Sequence, residues 1–309
     1  MKPSKYERDA LAQIARWRRP PRKLLGKVSR AVGLPFDVAS ELVARAPGVG
    51  WVIERSTLGI IHLGNDVAQW SVRPAAIHRD FQKRGHSHVR ASEDVRELDL
   101  SAVDRAIGFL SVKYKGLALA EGAASGALGF AGIAPDILAL VTLNLRAIGE
   151  YATYCGFDVS TQHERLFALN VLGLATSPAD STKAAVMAQL ARIAQELAQQ
   201  RAWEHLQKHG FVRLLQHFAH SLGIELTKRK LAQSLPVAGA AIGGGFNAYY
   251  THKVCEAAYF LYRERFLAAK YGESWTAVAT EPSIDAPAFD DVVSNGAQEG
   301  PDASVNEVA

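Results

Sequence analysis

Residues 116–155 read GLALAEGAASGALGFAGIAPDILALVTLNLRAIGEYATYC, which is the most unusual stretch of the chain. Its first half spaces small residues four apart, as in Gly122 and Gly126, which places them on one face of a helix. Each glycine weakens a helix by about 1 kcal/mol relative to alanine, so several of them indicate close approach of a second helix. Pro135 and Asp136 then suit the first turn of a new helix.

The helix that follows Pro135 is apolar almost all the way round, which predicts burial in protein or in lipid. Arg146 and Glu150 lie four residues apart on its one polar arc, so they are expected to pair. Asn144 stands alone on the opposite, apolar side.

A later segment, residues 234–265, has a similar pattern but is not a repeat of the first: SLPVAGAAIGGGFNAYYTHKVCEAAYFLYRER. Small residues are again four apart, and Asn247 precedes a run rich in aromatic side chains. We therefore single out the polar residues of the two segments as candidate binding residues. They are Glu121, Asp136, Asn144, Arg146, Glu150 and Asn247.

Two interpretations of these segments stay open at the level of sequence. In the first, the small-residue faces pack together as a tight helical core. In the second, one or both segments insert partly into a bilayer or line a lipid pocket, although each apolar arm is shorter than a membrane span. Glu121 and Asp136 argue against simple insertion, because an unpaired carboxylate in lipid costs several kcal/mol.

The remainder of the chain predicts an all-α fold with one multi-helix domain. Of its 309 residues, 48% are hydrophobic and 21% are charged, which is enough apolar material for a sizeable core. Runs of alternating β-branched residues are missing, whereas helical periodicity dominates from Asp99 onward, with Asp99 as a predicted N-cap. Residues 79–97 are the most polar internal stretch and are predicted to form a connector.

Charge divides the chain into three predicted parts. Residues 1–30 form a basic amphipathic arm, with a helix expected over 5–19, and residues 31–272 form the helical domain. Residues 273–309 contain acidic residues and no lysine or arginine, and their composition predicts a disordered tail.

Several classes of protein are disfavoured by residue counts and motifs. Two cysteines cannot form a disulfide framework, so a reduced, intracellular protein is expected. No nucleophile-elbow or P-loop motif is present, and no secretory signal or conventional span is recognised. The four histidines within residues 203–220 could supply at most part of a metal site, so we expect no metal and no cofactor.

The basic arm predicts contact with an anionic membrane surface. Lipid binding needs basic groups beside apolar anchors, and the arm offers both; nucleic acid is the less favoured partner. The predicted membrane-contact residues are Arg16, Trp17, Arg18, Arg19, Arg22 and Lys23.

The chain resembles the EcsC family in two places. The stretch AEGAASGALGFAGIAPDILALVTLNLRAIGEYATYCGFD is similar to the central signature of that family, and LPVAGAAIGGGFNAYYTHKVCEAAYFLYRERF resembles its second signature. The resemblance spans roughly residues 35–270. It implies a helical, cytoplasmic or membrane-associated protein, in a family named after a component encoded beside an ABC transporter, and it supplies no catalytic residues.

These observations predict a non-enzymatic, EcsC-like protein at the cytoplasmic face of a membrane. Its expected partner is anionic lipid or a membrane complex such as a transporter. The alternative is a helical hydrolase or ligand-binding protein for a lipid or other amphiphile, using Glu121, Asp136 or Arg146. Convergence of Glu121, Asp136, Arg146 or a histidine around accessible volume would favour chemistry or ligand binding, whereas an Arg146–Glu150 pair with closed glycine faces would favour a scaffold. A third possibility, a protein-interaction module, would show as a large apolar patch away from the basic arm.

Overall fold

A computed structural model of the chain describes residues 2–18, 47–66, 70–126, 129–176, 208–233 and 239–272. Within these ranges the structure contains helices, turns and loops but no strand, so the predicted all-α fold is confirmed. The α-helices are α1 (Lys5–Arg18), α2 (Val49–Asn65), α3 (Pro74–Lys83), α4 (Leu100–Ile107), α5 (Leu110–Gly126), α6 (Ile133–Tyr154), α7 (Gln162–Thr176), α8 (Lys208–Gln233) and α9 (Gly239–Tyr271). Short 3₁₀ turns lie at Glu93–Glu97 and Gly129–Gly132.

The long helix α9 packs against four other helices, α1, α5, α6 and α7. Its most extensive partner is α5, so the two small-residue segments lie against each other. On α5 the buried positions are Leu110, Tyr114, Ala118 and Gly122, which recur every four residues and form one stripe. This arrangement agrees with the packed-core interpretation of the sequence.

Two local predictions are confirmed and one is partly wrong. The Asp99 side chain caps α4 by accepting from the Ser101 backbone N–H at 2.8 Å, and Pro135 lies in the first turn of α6. The predicted connector 79–97 begins inside α3, which is helical through Lys83. Pro74 starts this helix, and Ile77 and Phe81 are buried on one side of it. Such a short apolar stripe does not predict a helix within so polar a stretch.

Helix α1 is held against the bundle by buried polar and aromatic contacts. The Glu7 carboxylate accepts from Lys270 Nζ at 2.8 Å and from Tyr271 Oη at 2.6 Å. At the other end of α1, Arg18 pairs with Glu264 at 2.5 Å. These contacts make α1 part of the packed structure. The end of the predicted arm after Arg18, the predicted acidic tail and the histidine-bearing segment before Lys208 lie outside the described residues.

Gly156, two residues after the last residue of α6, has a backbone conformation that favours glycine. Its φ is 82°, and a Cβ built there would lie 2.7 Å from the backbone oxygen of Ser92. We expect Gly156→Ala to lower the free energy of unfolding by about 2–4 kcal/mol, because left-handed strain adds to overpacking. Gly85 has a φ of 94° and open space around it, so Gly85→Ala isolates the strain and should cost only about 1 kcal/mol. Urea denaturation of both variants checks the difference, and equal losses would contradict a steric role for Ser92.

Candidate functional site

Three of the predicted residues meet between α5, α6 and α9. Asn247 Nδ2 donates to Glu121 Oε2 at 2.6 Å and to Asp136 Oδ1 at 3.3 Å. Asn247 is fully buried, Asp136 is buried, and Glu121 is half-buried at the edge. The sequence singled out these three residues separately, and the fold brings them into one polar cluster.

Lys230 of α8 completes this cluster and was missed by the sequence analysis. Its Nζ pairs with Asp136 Oδ2 and donates to Asn247 Oδ1. The Lys230 side chain is only 5% exposed and that of Asp136 only 7%, so the ion pair is buried. Ser125 of α5 donates from its hydroxyl to Asp136 Oδ1. Helices α5, α6, α8 and α9 are thus joined at one point, which we call the Glu121–Lys230 cluster: Glu121, Ser125, Asp136, Lys230 and Asn247.

The two carboxyl groups of the Glu121–Lys230 cluster have opposite ionisation behaviour. Burial, reinforced by the neighbouring Asp136, raises the pKa of Glu121 to about 8. Burial also opposes ionisation of Asp136, but the Lys230 ammonium outweighs it and holds the Asp136 pKa below its usual value. At neutral pH the cluster therefore holds one protonated carboxyl, one carboxylate and one ammonium.

The remaining candidate binding residues lie elsewhere along α6. Arg146 Nε pairs with Glu150 Oε1 at 3.4 Å, as predicted, and Lys113 Nζ of α5 reaches Glu150 Oε2 at 2.9 Å. Glu150 is fourteen residues from Asp136, or about 21 Å along the helix. Asn144 lies between them and donates from Nδ2 to Thr251 Oγ1 of α9 at 3.1 Å. The predicted pair is confirmed, but Arg146, Glu150 and Asn144 are not part of the cluster.

The predicted membrane-contact residues that the structure describes lie on α1. Arg16 is exposed, and its guanidinium donates to the Ala12 carbonyl at 3.2 Å. The Trp17 ring stacks on Phe260 with 5.0 Å between ring centroids, and Arg18 pairs with Glu264. Trp17 and Arg18 thus contact α9 rather than solvent alone. Arg19, Arg22 and Lys23 lie outside the described residues.

A continuous apolar surface covers the side of α5 that faces away from the bundle. On a helical wheel its residues span an arc of about 160°, and the one charged residue within that arc is Lys113. Val112 is 57%, Leu117 47% and Leu119 52% exposed, and Phe109 just before the helix is 85% exposed. We call this surface the α5 face, formed by Phe109, Val112, Gly116, Leu117, Leu119, Ala120, Ala123 and Ala124. The sequence pattern does not indicate this surface, because Leu and Ala occur on both sides of α5.

Neither a group of metal-ligating side chains nor a helix able to span a membrane is found in the described part of the chain. There, no three His, Cys, Asp or Glu side chains are grouped so that they could hold a metal ion. His217 and His220 are exposed on α8, whereas His205 lies outside the described residues. None of the described helices combines the length and apolar character that a membrane span needs.

Comparison with known proteins places these features in a family. The model of the EcsC protein family matches residues 8–267, which include most of α1 and both small-residue segments. The chain belongs to the EcsC protein family. This match begins further toward the N-terminus than the resemblance read from the sequence, and it contains the whole Glu121–Lys230 cluster.

Two relatives come from Bacillus subtilis (strain 168). YdbA, an uncharacterized protein, is 24% identical over 269 residues, which cover 85% of this chain and 94% of YdbA. Protein EcsC is 29% identical over 189 residues, covering 61% of this chain and 74% of that protein. No solved structure matches the chain significantly.

Proposed function

We propose that this EcsC-family protein is a non-enzymatic protein that binds the anionic, cytoplasmic surface of a membrane through the α5 face. The exposed apolar surface of α5 is the observation that carries the proposal. Large apolar patches on folded proteins mark sites of contact with membranes or with other proteins. The α5 face runs about 22 Å along its helix, from Phe109 to Ala124.

Charge favours lipid over a protein partner. The charged residues of α5 are Lys113, Lys115 and Glu121, and the raised pKa of Glu121 keeps its carboxyl neutral at pH 7. Lys113 pairs with Glu150 of α6 but remains 48% exposed, so the helix presents lysines beside leucines and alanines, with no ionised carboxylate of its own. This combination is typical of helices that lie in the headgroup region of anionic membranes.

The opposite side of α5 supports the same orientation. Tyr114 and Ala118 are fully buried, and α5 packs along α9 and α6. The helix is therefore already folded before it meets a surface, so docking has no helix-folding cost to offset. Only the α5 face enters the interface, and no helix has to cross the bilayer.

Co-sedimentation with vesicles tests the proposal. We expect the protein to pellet with phosphatidylcholine vesicles containing about 30% phosphatidylserine at low salt, and the double variant Leu117→Glu/Leu119→Glu to bind at least about tenfold more weakly. Leu58 on α2 is 60% exposed, so Leu58→Glu is the matched control and should bind as the wild type does. Equal binding by all three proteins, or no binding by the wild type, would contradict the proposal. Capture only in the presence of a membrane protein complex would point instead to a transporter-like partner.

The hydrolase alternative has weaker support in the geometry of the cluster. Ser125 donates to Asp136, which resembles a nucleophile beside a base. However, the Lys230 ammonium lowers the Asp136 pKa, and a general base works best with a pKa near the working pH. Glu121, whose pKa is raised to about 8, lies nearer that range, but the Ser125 hydroxyl donates to Asp136 and to the Gly122 carbonyl rather than to Glu121. Arg146 is paired with Glu150 at a distance from this cluster. These contacts favour a cluster that binds helices together.

A further inference from the structure

Glu121 connects the buried cluster to the exposed α5 face. Ala120, Ala123 and Ala124 belong to the α5 face, whereas Glu121 and Ser125 point from the same two turns toward the bundle. The Glu121 carboxyl accepts from Asn247 of α9, and Ser125 donates to Asp136 of α6. The last turns of α5 are therefore tied to the rest of the protein by polar contacts.

The charges of the Glu121–Lys230 cluster balance only when one of its two carboxyl groups is protonated. The charged groups that face Glu121 are Asp136 from α6 and Lys230 from α8, while α9 contributes the neutral Asn247. One ammonium cannot compensate two carboxylates, and it already pairs with Asp136. A protonated Glu121 can donate to Asp136, whereas an ionised Glu121 would repel it.

We propose that protonation of Glu121 locks the end of α5 and that its ionisation releases this end and weakens membrane binding. This inference rests on the proposed function, because it assigns a regulation to the same α5 face. Glu121 is half-buried, so the ionised side chain can turn outward to water. The turn breaks its contact with Asn247, and it places a negative charge beside the surface that meets anionic lipid.

The size of the effect follows from the fraction of Glu121 that is protonated. With a pKa of about 8, this fraction falls from roughly three quarters at pH 7.5 to roughly one tenth at pH 9. If only the locked form binds, the apparent dissociation constant rises by up to about eightfold. Both pH values lie above the ordinary histidine pKa and below that of lysine, so few other side chains change charge.

Two measurements at pH 7.5 and pH 9 test the proposal. The first is binding to vesicles containing about 30% phosphatidylserine, which should weaken severalfold at the higher pH. The second needs no lipid: amide hydrogen exchange of residues 119–126, corrected for the intrinsic rate at each pH, should show lower protection at pH 9. Glu121→Gln offers Asp136 an amide donor at both pH values in place of the protonated carboxyl, so this variant should lose both changes.

Glu54→Gln on α2 is the matched control, because Glu54 is exposed and the exchange of side chains is the same. It should retain both pH effects of the wild type. If residues 119–126 of the wild type are equally protected from hydrogen exchange at pH 7.5 and pH 9, then protonation of Glu121 does not fix the end of α5 and the proposal is overturned. If the wild type loses this protection at pH 9 but binds no vesicles at either pH, the proposed function is contradicted. The effect of Glu121 protonation on the end of α5 is then still supported. Retention of both pH effects in Glu121→Gln would also overturn the proposal.

Discussion

Asp136→Ala is expected to lower the free energy of unfolding by about 3–5 kcal/mol, since removing one partner of a buried ion pair leaves an uncompensated charge. Lys230 is that charge, and its side chain is almost entirely buried. The substitution also removes the acceptor of Ser125 and one acceptor of Asn247. Urea denaturation followed by circular dichroism measures the loss.

The double variant Asp136→Ala/Lys230→Met separates the ion pair from simple loss of packing. Methionine fills much of the space of lysine without its charge, so the double variant should be more stable than Asp136→Ala alone. Additive losses from the two substitutions would contradict the account of Lys230 as the compensating charge.

Glu7→Ala is expected to cost about 3–5 kcal/mol for the same reason at the opposite end of the bundle. Its carboxylate accepts from Lys270, from Tyr271 and, at 3.3 Å, from the Leu100 backbone N–H. These contacts fix α1 to α9 and to the start of α4. Because these three donors and the Ser4 backbone N–H, which also donates to Glu7, lose an acceptor together, Tm should fall by several degrees.

Asp9→Ala is the control for Glu7→Ala, because Asp9 lies on the same helix and is exposed. It should change the free energy of unfolding by less than about 0.5 kcal/mol. A small effect of Glu7→Ala would mean that α1 is not an integral part of the domain.

The stability of the protein at acidic pH should depend on the ionisation of Glu7. Burial opposes ionisation of Glu7, but hydrogen bonds from Lys270 and Tyr271 outweigh it and lower its pKa. A lowered carboxyl pKa stabilises the folded protein above the ordinary glutamate value, and this contribution is lost as the pH falls below it. Glu7→Gln should therefore lose less stability than the wild type between pH 5 and pH 3, as measured by thermal denaturation. An unchanged slope would contradict this assignment.

Local signals in the sequence were sufficient for several parts of the fold. Asp99 and Pro135 marked helix starts because their effects act within one turn. The four-residue spacing of small side chains indicated close helix packing, and α5 does lie along α9. The interruption of an apolar pattern by polar residues also singled out Glu121, Asp136 and Asn247, which the fold brings into one cluster.

Other features depend on contacts that no local pattern contains. Lys230 lies in a helix with several other basic residues, so only its position opposite Asp136 distinguishes it. The docking of Trp17 and Arg18 depends on Phe260 and Glu264, more than two hundred residues away along the chain. A basic amphipathic helix has the same sequence pattern whether it meets lipid or the protein's own surface.

The exposed side of α5 could not be identified from hydrophobic periodicity. Val112, Leu117 and Leu119 are exposed, while Leu110 and Ala118 are buried, so both sides of α5 have the same kind of side chains. Hydrophobic periodicity identifies a buried side only when the opposite side is polar. The three-dimensional arrangement was needed to show which side faces outward.

A fluorophore at position 119 tests membrane docking through the α5 face most directly. The chain contains two cysteines, Cys155 and Cys255, and both are buried, so Leu119→Cys adds a single exposed thiol for labelling. Leu58→Cys on α2 provides the matched label away from the α5 face. On vesicles containing about 30% phosphatidylserine, we predict a blue shift and quenching by lipid-attached nitroxides at position 119 but not at position 58. Equal responses at the two positions, or no response at position 119, would contradict the account.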